Sequence, residues 1–170
     1  MNDSVVMDAM QFARALHYGQ KYGDRPYIGH CRDVVMVLIQ YGDGGNVLAA
    51  AWLHDILEDC TLTTSDNFYF ANHFPQEVQE IVRAVTCGPG KDRAEKWTET
   101  YPRIMACENR GFAAVKVKLA DRIANVRECI KNSDKRLEMY RLEYPAFREA
   151  LWIPLYYSCM WDELDRLMEV

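Results

Sequence analysis

Apolar residues recur at helical spacing along almost the whole chain, and strand-type alternation is scarce. In the first segment Ala9, Phe12, Ala13 and Leu16 share a face, with Ser4 placed to cap the helix. A loop from Gly19 to Gly29 leads to a second helix carrying Val34, Val35, Leu38 and Ile39, which Gly42-Asp43-Gly44-Gly45 ends. The run from Ala49 to Leu57 is apolar apart from His54-Asp55 and predicts a buried helix that continues into Glu58-Asp59. Thr63 to Phe74 and Pro75 to Val85 read as two shorter helices, the second with Val78, Ile81, Val82 and Val85 on one face. Gly88-Pro89-Gly90 then breaks the chain before a polar segment running to Asn109. A helix beginning near Gly111 carries Asp121 and Asn125, and two more follow, with Pro145 and Pro154 limiting their unbroken length. The pattern predicts an all-α bundle.

At 170 residues and 49% hydrophobic, the chain suits one domain over residues 1–170, with no repeat or linker dividing it. A net charge of -5 argues against a nucleic-acid binder, which normally carries a basic face. A small anionic substrate remains compatible, because local cations can overcome a mildly negative average. No apolar run approaches the roughly 20 residues of a membrane span, and Met1-Asn2-Asp3-Ser4 leads straight into a helix without a signal pattern. A cytoplasmic protein without membrane partners is expected. The six cysteines never form a CxxC and are expected to stay reduced.

Chemistry concentrates on the apolar central helix. Ionisable groups there are unfavourable unless they are paired or bind a cation. His54-Asp55 gains weight from His30 in Pro26-Tyr27-Ile28-Gly29-His30 and from Asp121 in Lys118-Leu119-Ala120-Asp121-Arg122. Two imidazoles and two carboxylates suit Mn(II), Fe(II), Co(II) or Zn(II). Helical spacing also sets His54 with Glu58 and Asp55 with Asp59, so the second acid pair can face the same cavity. A divalent ion there would activate water, with Glu58 and Asp59 handling protons. Asn125 lies four residues after Asp121 and shares its helical face, whereas Arg122 points to a neighbouring face and a structural ion pair. His73 has no acidic companion in a motif and reads as structural, and Gly88-Pro89-Gly90-Lys91-Asp92 lacks the hydroxyl of a P-loop.

His…His-Asp…Asp resembles the HD-domain metal-dependent phosphohydrolases. The segments His17-Tyr18-Gly19-Gln20, Pro26-Tyr27-Ile28-Gly29-His30, Leu53-His54-Asp55-Ile56-Leu57-Glu58-Asp59 and Leu119-Ala120-Asp121-Arg122-Ile123-Ala124-Asn125 resemble in particular the RelA/SpoT hydrolase domain and the small stand-alone SpoT homologues. That resemblance implies an HD-domain bundle and a nucleotide substrate. The specific activity it implies is removal of the 3′-pyrophosphate of (p)ppGpp. Alternatives are an HD phosphatase acting on a dinucleotide 2′-phosphate or a deoxynucleotide 5′-phosphate, and a non-catalytic nucleotide-binding module. It implies Mn(II) at His30, His54, Asp55 and Asp121, catalysis by Glu58 and Asp59, and substrate contacts from Lys21, Arg25, Asn125 and Tyr140. Basic residues Lys91, Arg93, Lys96 and Arg103 could screen a 5′-diphosphate, and a homo-oligomer is compatible with the family. His17 helps shape the site without being a ligand. The chain departs from the family at Cys31, often proline, and at Lys21-Tyr22, often two basic residues.

Overall fold

The structure is a computed structural model that describes residues 3–107 and 112–169. Two helices form its centre, α3 (Asn46–Leu53) and α8 (Ala113–Asn132). Leu48 to Leu53 are all buried, the pattern of a helix enclosed on every side. Around α3 pack α1 (Asp3–Leu16), α2 (Ile28–Gln40) and α6 (Gln76–Val85). Around α8 pack α2 and α6 again, together with α7 (Arg93–Ala106), α9 (Arg136–Leu151) and α10 (Ser158–Glu169). Phe147, Leu151, Met160, Trp161 and Leu164 fill the space between the last two helices and α8.

Burying α8 takes Lys118, Asp121 and Arg122 out of water, which charged groups tolerate only when paired. Lys118 Nζ lies 3.0 Å from Asp121 Oδ2, and Arg122 reaches Glu143 of α9 at 3.0 Å. The all-α expectation holds, with one short hairpin among the described residues: β1 (Lys21–Tyr22) pairs antiparallel with β2 (Arg25–Pro26). Gly23 supplies the positive φ its two-residue turn requires. No helix among the described residues is long and apolar enough to cross a membrane, and none of the six cysteines is in a disulfide.

Several boundaries differ from the sequence expectation. The first helix is described from Asp3, so Ser4 lies within it and not at the cap. The polar segment folds as α7, because Trp97, Thr100, Tyr101 and Ile104 make a buried stripe that its charged neighbours mask. Its expected end at Asn109 and the expected helix start at Gly111 lie outside the described residues; α8 is described from Ala113. Pro145 does not limit α9, which runs through it from Arg136 to Leu151. An internal proline costs about 3 kcal/mol, but Tyr140, Phe147 and Leu151 are buried on both sides of it and hold the helix in register.

A further short helix, α5 (Thr64–His73), follows a capping box in which Thr63 and Asp66 each bond the other's backbone N–H. Thr63→Ala is expected to lower stability by about 1 kcal/mol, the usual worth of such a cap. Urea titration checks this, and an unchanged midpoint would show that α5 is held by packing alone. His73 at its end finds a carboxylate that no motif announced, Asp8 of α1 at 3.3 Å.

Candidate active site

The central helix does not continue through His54-Asp55. α3 stops at Leu53, and a new turn, α4 (Ile56–Asp59), starts after Asp55, whose φ of -103° and ψ of -2° leave the helical ladder. Within a regular helix, adjacent side chains diverge by about 100°. The break lets both converge, placing His54 Nε2 2.9 Å from Asp55 Oδ2. His30 arrives from the first turn of α2 and Asp121 from the middle of α8. His30 Nε2 lies 3.3 Å from Asp121 Oδ1 and 3.7 Å from Asp55 Oδ2. The ligand atoms of His30, His54 and Asp121 all lie within 4.8 Å of one another.

The chemistry of this cluster fits a divalent cation. His54 Nδ1 is 2.8 Å from the Ala51 carbonyl, which can only accept, so Nδ1 carries the proton. In the neutral imidazole, the form that binds a metal, Nε2 is then the lone pair, buried and facing carboxylates. Burial alone would depress the His54 pKa, but Asp55 outweighs it and lifts it to about 9. Burial also works against both acids. His54 nevertheless holds Asp55 below the usual carboxylate range, and Lys118 does the same for Asp121. The pocket therefore demands positive charge, which a proton or a metal ion can supply.

Around the cluster opens a cleft of about 180 Å³, lined among others by Glu58, Asp59, Asn125 and Tyr140. A cavity of about 670 Å³ lies elsewhere and one of about 710 Å³ adjoins the cleft through Arg93 and Trp97, but neither is lined by His30, His54, Asp55 or Asp121. Asp59 opens on the cleft, yet partial withdrawal from water raises its pKa. Its Oδ2 lies 2.5 Å from the Tyr27 hydroxyl, which is also 2.7 Å from Asp55 Oδ2. Glu58 accepts the backbone N–H of Cys87 at 3.1 Å. Asn125 donates to Asp121 Oδ1 at 2.5 Å and accepts from the Tyr22 hydroxyl.

Lys21 and Arg25 lie elsewhere. Successive residues of a strand face opposite ways, so Tyr22 lines the cleft and Lys21 lines the 670 Å³ cavity beside Arg14 and Trp52. Arg25 ion-pairs with Asp33 at 2.5 Å and Glu128 at 3.4 Å, and stands 5.5 Å from the Tyr22 ring centre. Of the basic group on and before α7, Arg93 lines the cleft, and Arg122 does so too while keeping its ion pair to Glu143. His17 stacks on Tyr27 at 4.6 Å and bonds Gln20, shaping the site from behind.

Sequence reading missed Tyr27, Lys118 and Arg136, all cleft residues. Spacing could have found two of them, since Lys118 precedes Asp121 by three and Arg136 precedes Tyr140 by four on helices. Tyr27 stood inside a quoted motif with no role attached. Tyr27→Phe is expected to fold normally while lowering activity about 10-fold, the effect of losing an outer hydrogen bond to a ligand. Steady-state kinetics check this, and unaltered rates would make the Tyr27 bridge incidental.

Helices from three parts of the chain thus build an imidazole–carboxylate cation site beside a second acid pair, the arrangement of a metal-dependent hydrolytic centre. The HD domain model matches residues 9–145, and the chain belongs to that family. The guanosine-3′,5′-bis(diphosphate) 3′-pyrophosphohydrolase of Vibrio cholerae is 33% identical over 119 residues, 68% of this chain and 16% of that protein. The bifunctional (p)ppGpp synthase/hydrolase SpoT of Escherichia coli is 30% identical over 126 residues, 72% of this chain and 18% of that one. This chain therefore spans less than a fifth of the length of these relatives. The structure of a metazoan SpoT ortholog that hydrolyses ppGpp superposes with a TM-score of 0.78 at 22% identity, covering 98% of this chain and 94% of that one. That likeness shows the shared fold.

Proposed function

We propose that this chain, as a single domain, is an HD phosphohydrolase that removes the 3′-pyrophosphate of (p)ppGpp, giving GDP or GTP and pyrophosphate. The observation that carries the reading is one cleft lined by His30, Asp55 and Asp121, with buried His54 against Asp55, together with the Glu58–Asp59 pair and four cationic side chains. Relatives named for this activity match over 68% and 72% of the chain. We assign all four cluster residues to the metal, and Mn(II) as the ion, on mixed N/O ligation and family resemblance. When bound, such an ion supplies Lewis acidity and an activated water.

The chain's own groups divide the rest. Glu58, fixed by the Cys87 N–H, is placed to orient and deprotonate the attacking water. Asp59 is the better proton carrier. Partial withdrawal from water raises its pKa, even though the Tyr27 hydroxyl that donates to it, and that also lies 2.7 Å from Asp55, works the other way. Asp59 then protonates the ribose 3′ oxygen as it leaves phosphorus. Arg93 and Arg122 share the single carboxylate of Glu143, leaving net positive charge for the phosphates, with Arg136 and Lys118 beside them. Asn125 and Tyr140 border the sugar side; Lys21 and Arg25 act from outside the cleft, Arg25 by backing Tyr22.

Purified protein with Mn(II) is expected to release pyrophosphate from ppGpp. Release of orthophosphate instead would move the assignment to another HD nucleotide phosphatase. Binding without turnover of any nucleotide would leave a non-catalytic module.

A further inference from the structure

Behind the cleft lies the cavity of about 670 Å³, and no residue lines both. Its volume falls in the range of small-molecule sites, roughly 300–1,000 Å³. Met10, Ile28 and Trp52 give it an apolar wall. Around that wall stand Arg14, Lys21 and Arg32, with Asp24 as the one carboxylate. Among the described residues, the Arg14 and Lys21 side chains have no ion-pair or hydrogen-bond partner. Arg32 has a loose 3.5 Å contact with Asp33, whose other oxygen pairs with Arg25. Three cations against one carboxylate leave two positive charges, the complement of a phosphate monoester near its dianion. The apolar wall beside them calls for a ring on that monoester.

The partition between cavity and cleft is built from side chains that hold the cation cluster and the acid pair. His17 lines the cavity and stacks on Tyr27, whose hydroxyl reaches Asp55 and Asp59. Gln20 lines it too, bonds His17 at 2.7 Å and donates to the Asp59 backbone carbonyl at 2.8 Å. In β1, Lys21 enters the cavity while its neighbour Tyr22 enters the cleft, the alternation of a strand. Tyr22 there stacks on His30 with centroids 4.7 Å apart and donates to Asn125, which donates to Asp121 Oδ1. A ligand gripped by Lys21 therefore steadies the strand that orients two of the cluster residues. Outer contacts of this kind set metal affinity.

We propose that the 670 Å³ cavity is an effector site for a nucleoside monophosphate, and that filling it tightens the cation cluster through Lys21–Tyr22 and His17–Tyr27. The base lies against Trp52, and the phosphate meets Arg14, Lys21 and Arg32. Inorganic phosphate reaches the same cations but buries nothing against the wall. Coupling between two sites is reciprocal, so bound metal tightens the nucleotide by the same factor. The proposal goes beyond the hydrolase reading and does not depend on it, because each of its readouts is a binding constant.

The experiment titrates AMP into the full chain, first metal-free and then with Mn(II). Metal-free protein is expected to bind AMP, and inorganic phosphate about tenfold more weakly or worse for want of the buried ring. Mn(II) affinity, read with a competing chelator dye, is expected to rise about fivefold or more in saturating AMP, the lower end of ordinary coupling. The double variant Arg14→Glu/Arg32→Glu alters two exposed side chains, so folding should survive. It is expected to bind AMP about tenfold more weakly or worse, through loss of charged hydrogen bonds, while keeping wild-type Mn(II) affinity when AMP is absent. It also reports how much Mn(II) the AMP itself binds in solution. Absence of AMP binding, equal AMP binding by the variant, or a wild-type Mn(II) affinity that AMP leaves unchanged would each overturn the proposal. If the chain binds no Mn(II) at all, the metal assignment fails instead. The cavity then stands or falls on AMP binding and its loss in the variant.

Discussion

Glu58→Gln and Asp59→Asn are each expected to lower the turnover of ppGpp by roughly 100-fold or more, the scale of general acid–base catalysis, with metal content and folding unchanged. Both side chains open on the cleft, so neither substitution disturbs the core. A glutamine at 58 can still accept the Cys87 N–H through its amide oxygen. An asparagine at 59 can still meet the Tyr27 hydroxyl. What each variant loses is the ability to take or give a proton. Removing one negative charge near a polyanion leaves nucleotide affinity equal or slightly higher. A fall in kcat with KM held or reduced is the signature of an interaction made in the transition state, and a supporting role does not produce it. Stopped assays for pyrophosphate, with calorimetry for binding, measure both quantities. Turnover within a few-fold of wild type in both amides would leave the cation cluster in place and remove this acid pair from the chemistry.

How far the sequence anticipated this site depends on which interactions are local. His54 and Asp55 were readable because they are ionisable residues in an otherwise apolar helical run, whereas His30 and Asp121 were readable as their companions in the resembled His…His-Asp…Asp motif. The helix break at Asp55 was not readable. Ala49 to Leu57 carries neither glycine nor proline, and the break arises from tertiary demands on the two ligand side chains. α7 was hidden for a related reason, since its buried stripe of Trp97, Thr100, Tyr101 and Ile104 is diluted by charged and exposed neighbours. Pro145 misled by the opposite route: propensity spoke against a helix that packing enforces. The side choice of the hairpin decided between Lys21 and Tyr22 as cleft residues, and a one-residue difference in strand facing carries no signal in so short a segment.

The cation cluster itself yields the other large expected effect. His54→Ala and Asp121→Asn are each expected to abolish stoichiometric metal and, with it, activity. His30, His54 and Asp121 come from α2, the end of α3 and α8, so an ion among them ties together segments far apart in sequence. Ligand binding at 100 times the dissociation constant stabilises by about 2.7 kcal/mol, which for a domain of this size is a melting-temperature change of roughly 5–10 °C. Stability alone cannot isolate that contribution, because Asp121→Asn also deprives buried Lys118 of its carboxylate and His54→Ala leaves a cavity above the Ala51 carbonyl. The chelator response can. Wild-type protein is expected to melt several degrees lower after metal removal, whereas each variant is expected to melt at the same temperature with or without chelator. Elemental analysis reports the metal directly and independently of any substrate. Full metal content in both variants, or a wild type whose melting ignores chelation, would take these residues out of the ligand set and leave the depressed carboxylates to be explained by the His54 and Lys118 cations alone.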